Sequence, residues 1–209
     1  MAKATCGSPW LKMNCGCNRP SGSFGGPFRS NRRSRRMAIR EILQLGNPLL
    51  WEQSAPIETF DSEATRTLIR DLDDTLTHFY DTHGFGRAIA APQIGSLNRA
   101  IFVRMQPSGF CGPLINPRIV WADPEQIEVW DDCFSFPDLL VKLRRARQIE
   151  VEYQDAQGTV QQVSADEDFS ELLQHEIDHL DGILAVQRAQ SPKDFSTRKE
   201  WERIHRARR

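Results

Sequence analysis

Two histidines four residues apart, His175 and His179, lie in a stretch whose apolar residues recur at helical spacing: Phe169, Leu172, Leu173, Ile177 and Leu180. On a helix such a pair shares one face, with Cβ atoms about 5–6 Å apart. Leu173, Ile177, Leu180 and Leu184 flank both histidines, so the imidazoles are aimed inward. Buried imidazoles need polar partners or a metal. The spacing therefore predicts an interior helix that starts near Asp166 to Ser170 and closes at Gly182. It also predicts a metal ion bound by two neutral ring nitrogens at about 2.0–2.1 Å. Glu176 follows the first histidine and can reach a water at the metal, the arrangement of a general base in metal hydrolases. Against this, a H-E-x-x-H string arises by chance in roughly one protein in a hundred at this length, and without a metal it would form a mixed, solvated face.

A catalytic metal needs a third ligand and an open position. Ala185 stands where a third histidine would extend the motif. A downstream carboxylate could only be Glu200 or Glu202, in a charged tail. The other donor is Cys133, at the end of the alternating strand Ile127-Glu128-Val129-Trp130 and shortly before Pro137. A thiolate beside two imidazoles suits Fe(II), Zn(II) or Co(II). Taken alone, Cys133 is more often a small core residue than a ligand. Cys6, Cys15, Cys17 and Cys111 complete the set, at spacings that make no disulfide framework and point to a reducing compartment. The Cys15-Gly16-Cys17 pair lacks the second pair of a zinc site.

The chain has 209 residues, enough for one domain and a tail, and no apolar run approaches the roughly 20 residues that span a bilayer. Its net charge of -1 hides an asymmetry. Residues 1–36 hold eight of the 27 Lys and Arg and no acid, which leaves 19 basic against 28 acidic residues from 37 onward. A domain so acidic is not expected to read nucleic acid. Residues 1–36 read as a basic extension: a transit peptide, a flexible tail, or sequence upstream of a start at Met37. From Met37, a helix capped by Asp61 or Ser62 carries Leu68, Ile69, Leu72, Leu76, Phe79 and Tyr80 and ends at Gly84 and Gly86. Strands follow at Ala100–Val103, Ile119–Trp121 and Ile127–Trp130, with a hairpin of Ile149–Tyr153 and Val160–Val163 across Gly158. Asp194 to Arg209 read as a charged surface helix. Helices at both ends of a strand-rich middle imply an α+β fold.

Three stretches occur in a telling order: Gly86-Arg87-Ala88-Ile89-Ala90-Ala91-Pro92-Gln93, Asp131-Asp132-Cys133-Phe134-Ser135, and Gln174-His175-Glu176-Ile177-Asp178-His179. They resemble the G-x-G-x-A-A-P-Q, E-G-C-L-S and Q-H-E-x-D-H motifs of the peptide deformylase family. Met37–Leu43 and Asn47–Leu50 resemble its N-terminus, and the likeness covers roughly residues 37–190. The resemblance implies antiparallel or mixed sheets packed around a central helix carrying the H-E-x-x-H string. It divides the chain into an extension (1–36), a catalytic domain (37–190) and a charged tail or helix (191–209). Cys133, His175 and His179 would hold the metal, Fe(II) first, with Zn(II), Ni(II) or Co(II) as substitutes. Glu176 would be the acid/base. The Gln93 side chain and the Phe134 backbone N–H would donate to the oxyanion. Without the resemblance, Gln93 would read as a turn residue capping backbone groups. The implied substrates are N-formylated nascent peptides, with the ribosome as a possible partner. The implied protein is a cytoplasmic monomer that crosses no membrane, or an organellar one if residues 1–36 are a transit peptide.

The departures cluster beside the chemistry. Arg87 stands for a small apolar residue, Ala88 for a glycine, Asp131-Asp132 for Glu-Gly, and Phe134 for Leu. In the family these segments line the substrate channel, so Arg87, Ala88 and Asp132 are the expected substrate-binding positions. A cation and an anion appearing together suggest that Arg87 and Asp132 pair across the cleft mouth. Such a pair would favour an N-acyl amine other than formylmethionine. A zincin-like protease using Glu200 or Glu202, and a non-catalytic peptide-binding relative, are the competing readings.

Overall fold

The computed structural model describes residues 37–105 and 109–206. The expectations placed on residues 1–36, including the Cys15–Cys17 pair, lie outside the described residues.

The first helix, α1 (Glu63–His83), begins where Ser62 Oγ accepts the Thr65 N–H at 3.1 Å, with Glu63 in its first turn. It ends at Gly84, which adopts φ +77°, a left-handed geometry that suits glycine. Strands β1 (Ala88–Ala90), β2 (Ala100–Arg104), β3 (Cys111–Ala122), β6 (Gln148–Gln154) and β7 (Val160–Asp166) form one antiparallel sheet in the order β1-β2-β3-β6-β7. A second antiparallel sheet joins β4 (Gln126–Asp132), β5 (Leu139–Ala146) and β8 (Phe195–Thr197) in that order. The second helix, α2 (Glu167–Leu180), carries both histidines, and α3 (Arg198–Arg206) follows β8.

Strand alternation gives the larger sheet two apolar faces. Ile101 and Val103 of β2 join Leu114, Ile149 and Val151 against Leu172, Leu173, Ile177 and Leu180 of α2. The intervening Ala100 and Phe102 join Ile89 and Ile115 against Leu72 and Leu76 of α1. Each fully buried Leu or Ile contributes about 1.5–3 kcal/mol, so α2 is held by its apolar face. A third cluster, Cys133, Phe136, Val141, Leu143 and Ala185, fills the space between the smaller sheet and the segment after α2. The α+β class and the antiparallel sheets agree with the expectation from sequence. Among the described residues, no helix is long and apolar enough to cross a membrane.

The differences have local causes. The strand expected at Ile119–Trp121 is longer: β3 already includes Leu114–Pro117 and passes Pro117 at an irregularity between Ile115 and Arg118. There the missing proline N–H interrupts no ladder bond. Asn116 (φ +51°) turns its amide onto the backbone of Ile57, donating to its carbonyl and accepting its N–H, each at 2.8 Å. In β5, the buried Arg145 breaks the apolar alternation that would have revealed a strand. In β8, a three-residue strand is fixed by pairing Phe195 with Val141 and Thr197 with Leu139.

Candidate metal centre

Cys133 emerges from the end of β4, and His175 and His179 sit one turn apart on α2. Cys133 Sγ lies 3.2 Å from His179 Nε2, which lies 3.2 Å from His175 Nε2. All three donor atoms fall within 4.8 Å of one another, and all three residues are buried. A tetrahedral centre with bonds of about 2.0–2.1 Å to nitrogen and 2.3 Å to sulfur sets its donors about 3.3–3.6 Å apart. The spacing and the thiolate–imidazole set therefore fit a divalent transition metal. Glu200 takes no part: it accepts from Arg203 on the exposed side of α3.

A buried ion network orients the first histidine. Asp131, 1% exposed, places Oδ1 2.7 Å from His175 Nδ1 and accepts from Arg145 Nη2 at 2.8 Å through Oδ2. Arg145 also pairs with Asp178, and Asp178 with Arg188. Burial would raise the Asp131 carboxyl, but His175 and Arg145 hold it well below the usual carboxylate range. Burial would lower His175, and Asp131 outweighs it, raising the imidazole. His179 goes the other way, lowered by burial and then by the neighbouring His175. With Nδ1 of His175 engaged by Asp131, its Nε2 is left to face the metal position.

Glu176 is 4% exposed, and its Oε2 has no hydrogen-bond partner among the described residues. Burial pushes its carboxyl up to about 7. A free carboxylate oxygen beside the donors, titrating near neutrality, suits proton transfer. Gln93, on the single turn Ala91–Ile94, accepts the Ala90 N–H at 2.9 Å through Oε1. Its Nε2 thereby points at the site, 3.4 Å from both Cys133 Sγ and Ser135 Oγ. Gln93 is thus both the turn-capping residue and an amide donor aimed at the candidate centre. Phe134 stacks on Phe79 at 3.9 Å. Gly86 makes room for it: a Cβ there would lie 2.9 Å from Phe134 Cζ, at a φ of +129°. A surface hollow of about 290 Å³ beside Ser62 and Leu68 contains none of these groups.

The sequence profile of the Polypeptide deformylase family matches residues 39–195. The chain belongs to the peptide deformylase family. A peptide deformylase from Heliobacterium modesticaldum is 37% identical over 155 residues, which is 74% of this chain and 97% of that protein. One from Rhizobium meliloti is 37% identical over 153 residues, 72% of this chain and 84% of its own. The crystal structure of a peptide deformylase from Legionella pneumophila superposes with a TM-score of 0.68 at 33% identity, covering 82% of this chain and 99% of that one. A Synechococcus elongatus peptide deformylase in complex with actinonin gives 0.65 at 29% identity, covering 74% and 81%. The chain is therefore a hydrolase of a metal-dependent family, and Cys133, His175 and His179 form a group that could hold a metal ion.

The expected ion pair between Arg87 and Asp132 does not form. Arg87 donates to Glu171 Oε2 at 2.9 Å and to the Asp168 carbonyl at 3.3 Å, while Asp132 accepts from Arg198 Nη2 at 2.6 Å. Arg87 precedes β1 and reaches the first turns of α2, whereas Asp132 ends β4 and faces α3. Ala88 is buried in the cluster against α2. Arg145, Glu171 and Arg198 were not singled out from sequence, and Asp131 only as a departure from the family motif. Glu171 lies four residues before His175, the spacing that sets it on the metal face of α2, and that signal was available.

Proposed function

We infer that the protein hydrolyses the formyl amide at the N-terminal methionine of newly made polypeptides, releasing formate and a free amine. The observation that carries this reading is the convergence of one sulfur and two imidazole nitrogens, next in the chain to a buried Glu176 oxygen that has no hydrogen-bond partner among the described residues.

Cys133, His175 and His179 would hold one divalent ion, Fe(II) first, with Zn(II), Ni(II) or Co(II) as substitutes. Such an ion supplies Lewis acidity, polarising the formyl carbonyl and lowering the pKa of water from 15.7 to about 7. Glu176 takes the proton from the attacking water as oxygen adds to the formyl carbon. Gln93 Nε2, and the Phe134 backbone N–H beside Cys133, donate to the developing oxyanion; one such donor is worth about 10²–10³ in rate. Glu176 then gives its proton to the departing amine as the C–N bond breaks. Asp131 keeps His175 in the tautomer that presents Nε2. We further propose a cytoplasmic monomer acting on nascent chains near the ribosome, with an organellar site if residues 1–36 act as a transit peptide.

Formate release from N-formyl-Met-Ala-Ser by iron-loaded protein, with Glu176→Ala as control, tests the reading. Turnover in the wild type and its loss in the variant are expected. No formate at any substrate concentration refutes it.

A further inference from the structure

The ion pair between Arg87 and Glu171 ties the segment before β1 to the helix that carries both histidines. The amine released by hydrolysis has to lie beside Glu176, which returns its proton, so the residue on that amine lies against the neighbours of Glu176. Two other neighbours of the centre are already engaged within the chain itself. On the Gln93 side, residues 43–45 are tacked down by backbone bonds from Leu43 to Gln93 and from Leu45 to Ser135, each 2.8 Å. Next to His179 in the chain, Asp178 is clasped by Arg145 and Arg188. Metal ligands and Glu176 are all 6% exposed or less, while the Arg87 and Glu171 side chains keep 19% and 14%. Both act electrostatically on Glu176, Glu171 repelling its charge and Arg87 attracting it. The pair is thus a polar, partly open wall next to the reacting bond.

Apolar replacements of buried ion pairs are often neutral or stabilising, so such a pair is weak evidence for a role in stability. Its consequence falls on whatever packs against it. A thioether or alkyl chain would strip water from both charges and return no hydrogen bond. A carboxamide does the reverse: its oxygen accepts from the Arg87 guanidinium and its NH₂ donates to the Glu171 carboxylate. A charged side chain would be attracted by one partner and repelled by the other.

We propose that the Arg87–Glu171 pair is a specificity determinant, favouring formylated amines whose first side chain ends in a neutral hydrogen-bonding group, a carboxamide above all. This rests on the deformylase reading and refines it: the chemistry is unchanged, methionyl substrates are still turned over, and a side chain of similar length bearing an amide is preferred.

The test compares kcat/KM of metal-loaded protein on N-formyl-Gln-Ala-Ser, N-formyl-Met-Ala-Ser and the N-formyl-norleucyl analogue. Wild type is expected to prefer the glutaminyl substrate. Arg87→Leu combined with Glu171→Leu should shift the Gln-to-Met ratio by about tenfold or more toward methionine, mainly through KM. Glu171→Gln, which keeps a hydrogen-bonding group, should retain most of the preference. Wild type preferring norleucine or methionine over glutamine overturns the proposal, whatever the variants do. A Gln-to-Met ratio unchanged in a folded, metal-replete double variant overturns it as well. Formate from none of the three substrates would refute the deformylase reading itself.

Discussion

Replacing Asp131 with Asn keeps the shape of the side chain and removes the charge that ties the first metal ligand to the buried arginine. Asp131 is 1% exposed and makes two contacts, to His175 at 2.7 Å and to Arg145 at 2.8 Å. An amide can accept from only one of the two, and its NH₂ then meets another donor. Arg145, 2% exposed, keeps only Asp178, which it shares with Arg188. Breaking a buried pair from one side costs about 3–5 kcal/mol. Because Asp178 remains, the lower end of that range is expected. Losing the carboxylate behind a ligating histidine lowers metal affinity by about 10–100-fold. Urea unfolding of the metal-free protein reads the first quantity, and competition against a zinc chelator reads the second. Metal affinity within about twofold of wild type would refute the assignment of Asp131 as the group that orients His175.

Gln93→Ala should lower kcat by about 10²–10³ with little change in KM, measured by formate release. Gly86→Ala should destabilise the fold by about 1–3 kcal/mol in thermal unfolding, since φ is +129° and the new methyl would press on Phe134. Glu176 titrates near 4.5 unfolded and about 7 folded. The folded state then binds more protons across that window, so stability falls as pH rises from 4.5 to 7. In metal-free protein, Glu176→Gln should therefore gain at most about 3 kcal/mol over wild type at pH 8 and almost nothing at pH 4.5, by urea unfolding.

What sequence revealed and what it hid divides along physical lines. The α2 helix was legible because apolar spacing and a four-residue histidine repeat are local patterns. Cys133 stood beside Glu200 and Glu202 as a candidate donor until the motif resemblance singled it out, since its closeness to α2 is a tertiary fact. Asp131 was noted merely as a departure from the family motif. Its grip on Arg145 depends on β5, a strand hidden by that same arginine. The misplaced partner of Arg87 has a similar cause. Asp132 is close in motif terms, but it ends a strand that faces α3, and the partner Arg87 finds is Glu171, on the helix that carries the histidines.

The most direct test of the account is the absorption spectrum of the cobalt(II)-substituted protein. One cobalt per chain, with a near-ultraviolet sulfur-to-cobalt charge-transfer band that disappears in Cys133→Ser, is the expected result. Stoichiometric cobalt without that band, or a band that survives the substitution, would contradict it.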